Sequence, residues 1–211
     1  KTHTKMSSLV DSTIDSEVLV LTRTVIEKLF SNYRAIRGKF PSPDIEPSED
    51  QLSAVSQLIN SGIVPYVDFA IFGRFGRRLL KKLTLISYQY HSPDGTWKRQ
   101  ELPGPPDFDS WWTSWLVLKC TFLRLDSARP ERLDQYGEHL RALLTTYGTE
   151  CWFIIYQADI RMRSEQFERI RRRLPIDFGA GIILHGYVPA KPWDGVFAAA
   201  AKDKEFWDSE V

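Results

Sequence analysis

Residues 105 to 175 are cut by strong breakers into three stretches, each with apolar side chains at the three- and four-residue spacing of a helix. Pro105-Pro106-Asp107 opens the first, a Trp-dense segment from about Phe108 to Leu125. Pro130 suits the first turn of the second, which carries Leu133, Tyr136, Leu140, Leu143 and Tyr147 on one face. Gly148-Thr149 separates this from the third, running from Glu150 to about Arg173 and stopped by Pro175. Joints this short leave successive helices little choice but to fold back on one another, so this part of the chain predicts stacked helical hairpins.

The flanks add to that frame. Val18, Leu21, Val25, Leu29, Tyr33 and Ile36 predict a helix over 18–36, ended by Gly38 and Pro41. After a Pro-rich link, Ser48-Glu49-Asp50-Gln51 has the form of a capping box opening a second helix through Leu52, Val55, Leu58 and Ile59 to Gly62. Leu83 to Tyr90 and Trp97 to Leu102 flank the turn signal Ser92-Pro93-Asp94-Gly95 and predict a β-hairpin. Beyond a Gly-rich link (Gly179 to Gly186), Pro192 to Ala201 and Lys204 to Glu210 predict one or two terminal helices. The expected fold is mainly α, a bundle of about six to eight helices with one inserted hairpin. It divides into an N-terminal helical segment with its linker (1–62) and a helical core (63–211) with the hairpin near 83–102.

Composition bounds function mainly by exclusion. A chain of 211 residues buries roughly two thirds or more of its unfolded surface and needs neither disulfide nor metal to fold. The net charge of +1 gives no global pull toward nucleic acid or membrane, so any electrostatic role rests on local clustering. Cys120 and Cys151 lie in apolar helical stretches, as buried thiols of a reducing compartment do, and two cysteines cannot supply a four-thiolate zinc site. No apolar run is long enough to span a membrane, and Lys-Thr-His-Thr-Lys is not a signal-peptide opening, so an intracellular location, cytoplasmic or nuclear, is expected. The start at Lys1 and the end at Val211, within a helical pattern, suggest a segment of a longer protein.

Enzyme signatures are missing. Val10-Asp11-Ser12-Thr13 resembles the start of an aspartic-protease loop but lacks the glycine that the tight turn requires. His3, His91, His139 and His185 are scattered without helical pairing or neighbouring cysteine, and neither a P-loop, a dinucleotide fingerprint nor a Gly-x-Ser-x-Gly elbow occurs. The expectation is a non-catalytic chain with no cofactor and no metal.

Two basic clusters remain. Gly73-Arg74-Phe75-Gly76 resembles the GxxG loop of KH domains, where glycines let the backbone approach nucleotides. Arg74, Arg77, Arg78, Lys81 and Lys82 place five cations in nine positions without an acid, a local phosphate-attracting field. The bland counterpart is a glycine bend followed by a solvated basic helix. The second cluster, 160–173, has six Arg against two Glu. Glu165 with Arg169 and Glu168 with Arg172 are favourable helical pairs, which leaves Arg163, Arg171 and Arg173 without one and Arg171, Arg172 and Arg173 near the negative end of the helix. Arg163 fills a slot in the apolar register Phe153, Tyr156, Ile160, Phe167, Ile170, Leu174, so it must either pair with a buried acid or face a partner. Trp111, Trp115 and Phe122 share a face from which Trp112 points away, giving a core seam with Trp112 half exposed, a platform for nucleobases, or an anchor for another chain.

From about Tyr66 onward, Asp68-Phe69-Ala70-Ile71-Phe72-Gly73 with Gly76-Arg77-Arg78, Phe108-Asp109-Ser110-Trp111 with Ser114-Trp115, Leu133 through Tyr147, Trp152 through Arg173, and Pro192-Trp193 with Phe206-Trp207 resemble a multicopy, retroelement-associated polyprotein family of dinoflagellate algae. The resemblance implies a gag-like, helical, non-enzymatic region that packages or tethers nucleic acid and self-associates. Together with the basic clusters it predicts low-specificity contact with RNA or DNA backbone through Gly73, Arg74, Gly76, Arg77, Arg78, Lys81, Lys82, Arg163, Arg171, Arg172 and Arg173. The competing expectation is a protein-interaction or self-assembly scaffold in which Trp112 and Arg163 face another chain.

Overall fold

A computed structural model describes residues 4–74, 82–178 and 191–211. Among them the chain is mainly helical with a single two-stranded antiparallel hairpin, the architecture that the breaker pattern predicts. Helices α1 (Arg23–Arg37) and α2 (Glu49–Asn60) precede strands β1 (Thr84–His91) and β2 (Thr96–Pro103). Helices α3 (Phe108–Arg124), α4 (Pro130–Tyr147), α5 (Trp152–Arg161), α6 (Phe167–Phe178), α7 (Pro192–Ala201) and α8 (Lys204–Glu210) follow. No helix among the described residues is long and apolar enough to cross a membrane.

The helix ends show why the sequence breaks where it does. Thr22, not Val18, starts α1: its extended backbone turns the chain and its hydroxyl accepts from Val25 N. The residues before it lie extended along α2, where Gln57 Oε1 accepts from Leu19 N at 2.9 Å and Ser53 Oγ from Leu21 N at 3.1 Å. Side chains of α2 thereby satisfy backbone donors that a longer α1 would have used. Ser48 and Gln51 form the full capping box of α2, and Gly38 ends α1 in the left-handed conformation, with φ of 70°. The third predicted helix is α5 and α6 joined through a π-helical turn (Met162–Gln166), entered by a 3-10 turn (Thr149–Cys151) and running past Pro175 to Phe178.

One continuous core includes Leu9, Tyr33, Val55 and Leu58 from the first 62 residues together with the helices that follow. Its centre is aromatic. Trp111 stacks on Trp115 at 5.4 Å with planes 10° apart, and Phe197 meets Trp115, Phe122, Tyr136 and Phe167 edge-on. Gly137 lets α4 lie against this stack, because a Cβ there would stand 2.6 Å from Trp115 Nε1. Trp193 and Trp207 are buried, so α7 and α8 dock onto the core. Asp194 fixes that docking by accepting from the backbone N of Arg129 at 2.7 Å and from its guanidinium at 2.8 Å, at the start of α4.

Candidate nucleic-acid interface

The described residues on either side of 75–81 form a tied neck: Gln51 Nε2 donates to the carbonyl of Gly73 at 2.8 Å, Leu83 N donates to Ala70 O at 2.9 Å, and Leu83 O accepts from Gly104 N at 2.8 Å. Gly73 is buried, and a Cβ on it would come within 2.7 Å of Ser114 Oγ. Gly73 therefore packs against α3, and its burial leaves its backbone covered rather than open to close approach by a nucleotide. The first half of the GxxG expectation is corrected accordingly, while Gly76, Arg77, Arg78 and Lys81 lie outside the described residues. The flanking cations Arg74 and Lys82 are both exposed. Each has an acid nearby: Arg74 helps hold the Asp44 carboxyl below its usual range, behind the larger effect of the Ser42 hydroxyl, and Lys82 pulls the partly buried Asp68 downward against a burial that raises it.

The hairpin rises directly from this neck. Its turn is closed by Gly95, at φ of 65°, and by Asp94, whose Oδ1 accepts from Thr96 N at 3.2 Å and Thr96 Oγ1 at 2.7 Å, with His91 and Lys98 within 3.1 and 3.4 Å of the carboxylate. Strand register pairs Ile86 with Glu101, Tyr88 with Arg99 and Tyr90 with Trp97. Side chains alternate along a strand, so these six share one face, and Leu85 and Ser87 turn inward on the other. Tyr90 and Trp97 meet at 5.3 Å, and Tyr88 braces against Phe153 of α5 at 6.0 Å. Relative exposures are 51% for Tyr88, 53% for Tyr90 and 67% for Trp97. Arg99 is exposed and has no acidic partner among the described residues. This face was readable as alternation across the Asp94-Gly95 turn, but which of the two faces meets solvent depends on the packing of Leu85 beneath it.

The second cluster divides. Arg163 is 2% exposed, and its guanidinium makes three bonds of 2.7 to 3.0 Å to Asp159 and one of 2.7 Å to Val67 O, with Phe69 beneath it at 4.2 Å. Asp159 in turn accepts from Trp111 Nε1 at 2.9 Å and Tyr136 Oη at 2.7 Å. Burial opposes the Arg163 charge, but the Asp159 carboxylate outweighs it and raises the proton affinity of the guanidinium above its ordinary value. Of the alternatives the sequence leaves open, the internal pair is the one formed; with its guanidinium buried and committed to Asp159 and Val67, the expected place of Arg163 in both interfaces is corrected. Arg171 and Arg172 both bond Glu168, at 2.8 and 2.9 Å, and Arg171 also stacks over Trp193 at 5.3 Å. Arg173 comes within 3.9 Å of Asp203. Arg172 and Arg173 are exposed at the side chain, but acids stand beside both. Trp112 is half-buried, with the Arg141 guanidinium 4.3 Å above its ring.

Asp159 is committed to this buried network, and His139 packs against Trp207 at 4.8 Å with Nε2 unpartnered; His185 lies outside the described residues. Asp11 bonds the backbone and hydroxyl of Thr13 at its own turn. Burial raises the Cys120 thiol to about 12, so it stays protonated. Two grooves of about 490 Å³ open elsewhere. One, between α6 and α8, mixes Arg161, Arg169 and Arg173 with Glu165, Asp203 and Glu210. The other lies over Phe30, Phe40 and Arg124, where Phe30 stacks on Phe40 at 5.0 Å and the buried Arg124 pairs with Glu46 at 3.3 Å. Compared with known families, with curated proteins and with solved structures, the chain matches none.

Proposed function

We propose that this chain is a non-catalytic helical module that binds the backbone of RNA or DNA with low sequence specificity, within a retroelement-like polyprotein. The observation that carries the proposal is the tied neck at Ala70, Gly73 and Leu83, which anchors the residues next to Arg74 and Lys82, the exposed first and last cations of a run of five in the sequence, at the base of a hairpin whose Arg99 has no acidic partner among the described residues. Clustered Lys and Arg attract phosphate by releasing condensed counterions, and the attraction is insensitive to sequence. Glu168 and Asp203 largely neutralise the cluster on α6, so the run from Arg74 to Lys82 dominates.

Changing Arg77 and Arg78 together to Ala should flatten the log–log salt dependence of binding to mixed-sequence single-stranded RNA by about one to two units. Changing Arg172 and Arg173 should flatten it by less than about one unit. A slope unchanged by the first pair removes the run from the account. Absence of binding at low salt, with concentration-dependent self-association, would leave the scaffold as the function.

A further inference from the structure

We infer that the outer edge of β2 is a self-association site, where two copies of this chain pair strand to strand about a two-fold axis; the inference stands apart from the nucleic-acid function proposed above. Leu85 and Ser87 near the base of the hairpin are buried, but every residue from Tyr88 to His91 and from Thr96 to Glu101 is exposed. A ribbon of two strands alone is marginal in water, and further strands are what make a sheet stable. β1 leans on α5 through Tyr88 and Phe153, which leaves β2 as the outward strand. Among the described residues no backbone group of β2 has a backbone partner outside β1. Alternate residues of β2 therefore point N–H and C=O groups outward, a ready template for another strand. No bulge interrupts that edge, since the register with β1 runs unbroken from Thr84 and Pro103 to His91 and Thr96.

The residues of β2 select a second copy as the occupant. A two-fold axis normal to the sheet pairs two β2 strands antiparallel and keeps their faces together, so residues of the same parity lie opposite. Centred on Arg99 or on Glu101, this pairing sets like charges directly against each other. Centred on Gln100, between them, it sets Arg99 of each copy opposite Glu101 of the other, at the roughly 5 Å Cβ separation of facing residues. Within one copy Arg99 meets no acid among the described residues, and Glu101 keeps its charge while accepting from the Thr84 hydroxyl. The same register brings the exposed Trp97 opposite the exposed Pro103 on one face, and the stem of Lys98 opposite Leu102 on the other. Lys98 is a charge of the kind that guards an edge, but Asp94, 3.4 Å away, draws it back toward the turn. The two-fold uses both β2 edges, so the contact closes as a dimer with a four-stranded sheet and does not propagate.

The test is sedimentation velocity on the intact chain over a range of about 5 to about 300 µM. A contact between two edge strands is small, so the dimer should be weak, with a dissociation constant on the order of 10–100 µM. Arg99→Glu and Glu101→Arg each turn two attractive pairs into two repulsive ones, and each should weaken association by about fivefold or more. The double variant R99E/E101R should recover the parent's association, and an equimolar mixture of the two single variants should associate more tightly than either alone. Both positions are exposed, and circular dichroism verifies that the variants fold. A chain that stays monomeric at about 300 µM would overturn the site. So would a dimer that neither reversal weakens, which must be built on another surface. Reversals that weaken association without recovery in the double variant or the mixture would overturn the register, and the pairing with it.

Discussion

Arg163 and Asp159 take both their charges out of water, at 2% and 0% exposure, and survive because each guanidinium nitrogen has an acceptor and both carboxylate oxygens have donors. Removing one partner strands the other, so Arg163→Met should cost about 3–5 kcal/mol of stability. Chemical denaturation should show this as a lower midpoint, while the nucleic-acid affinity of the folded fraction stays unchanged. Reduced affinity with stability intact would mean that Arg163 faces a ligand after all. His139 tests the opposite case, a half-buried ring whose Nε2 has no partner among the described residues. Burial lowers its pKa below the ordinary 6.5, so below that value the unfolded chain binds a proton that the folded chain resists. Stability is then fully present above about pH 6.5 and falls as the pH drops toward the folded-state pKa. Replacing His139 with Gln should remove that part of the decline, measured as the difference in urea midpoint between about pH 7.5 and about pH 5.5. An identical decline in the variant would assign it to the carboxylates.

At the scale of elements, Gly137 and Gln51 show how one residue joins two helices. Helix propensity alone favours Gly137→Ala by about 1 kcal/mol, but the added methyl meets the buried ring of Trp115, and overpacking costs about 1–3 kcal/mol. The variant should melt at a lower temperature; a higher one would mean that α3 and α4 have room to part. Gln51 caps α2 and also holds the Gly73 carbonyl. Gln51→Ala should destabilise by about 1–3 kcal/mol through the stranded carbonyl and should weaken RNA binding by loosening the neck. Most elements were legible because their signals are local: Pro130, Pro192, the Ser48 box and the Asp94-Gly95 turn stand where their helices and turn begin. The start of α1 was not, because side chains of α2, more than thirty residues on, decide where the extended segment ends. Arg163 was legible as an anomaly in an apolar stripe, but its resolution depended on Asp159, Val67 and Phe69 meeting in space.

Across the whole molecule, a near-neutral chain has its densest cationic run in sequence between the two sides of one neck, and exposes Tyr88, Tyr90 and Trp97 on the hairpin that starts there. The hairpin face and the neck were only half visible in the sequence, since alternation defines two faces and tertiary packing chooses between them. The central claim, backbone binding by this surface, is tested most directly by titrating the intact chain into fluorescein-labelled single-stranded RNA by anisotropy at about 50 and about 200 mM salt. Micromolar or tighter binding at the lower salt that weakens by tenfold or more at the higher is the predicted result. Undetectable binding at the lower salt, or an affinity indifferent to salt, would contradict it.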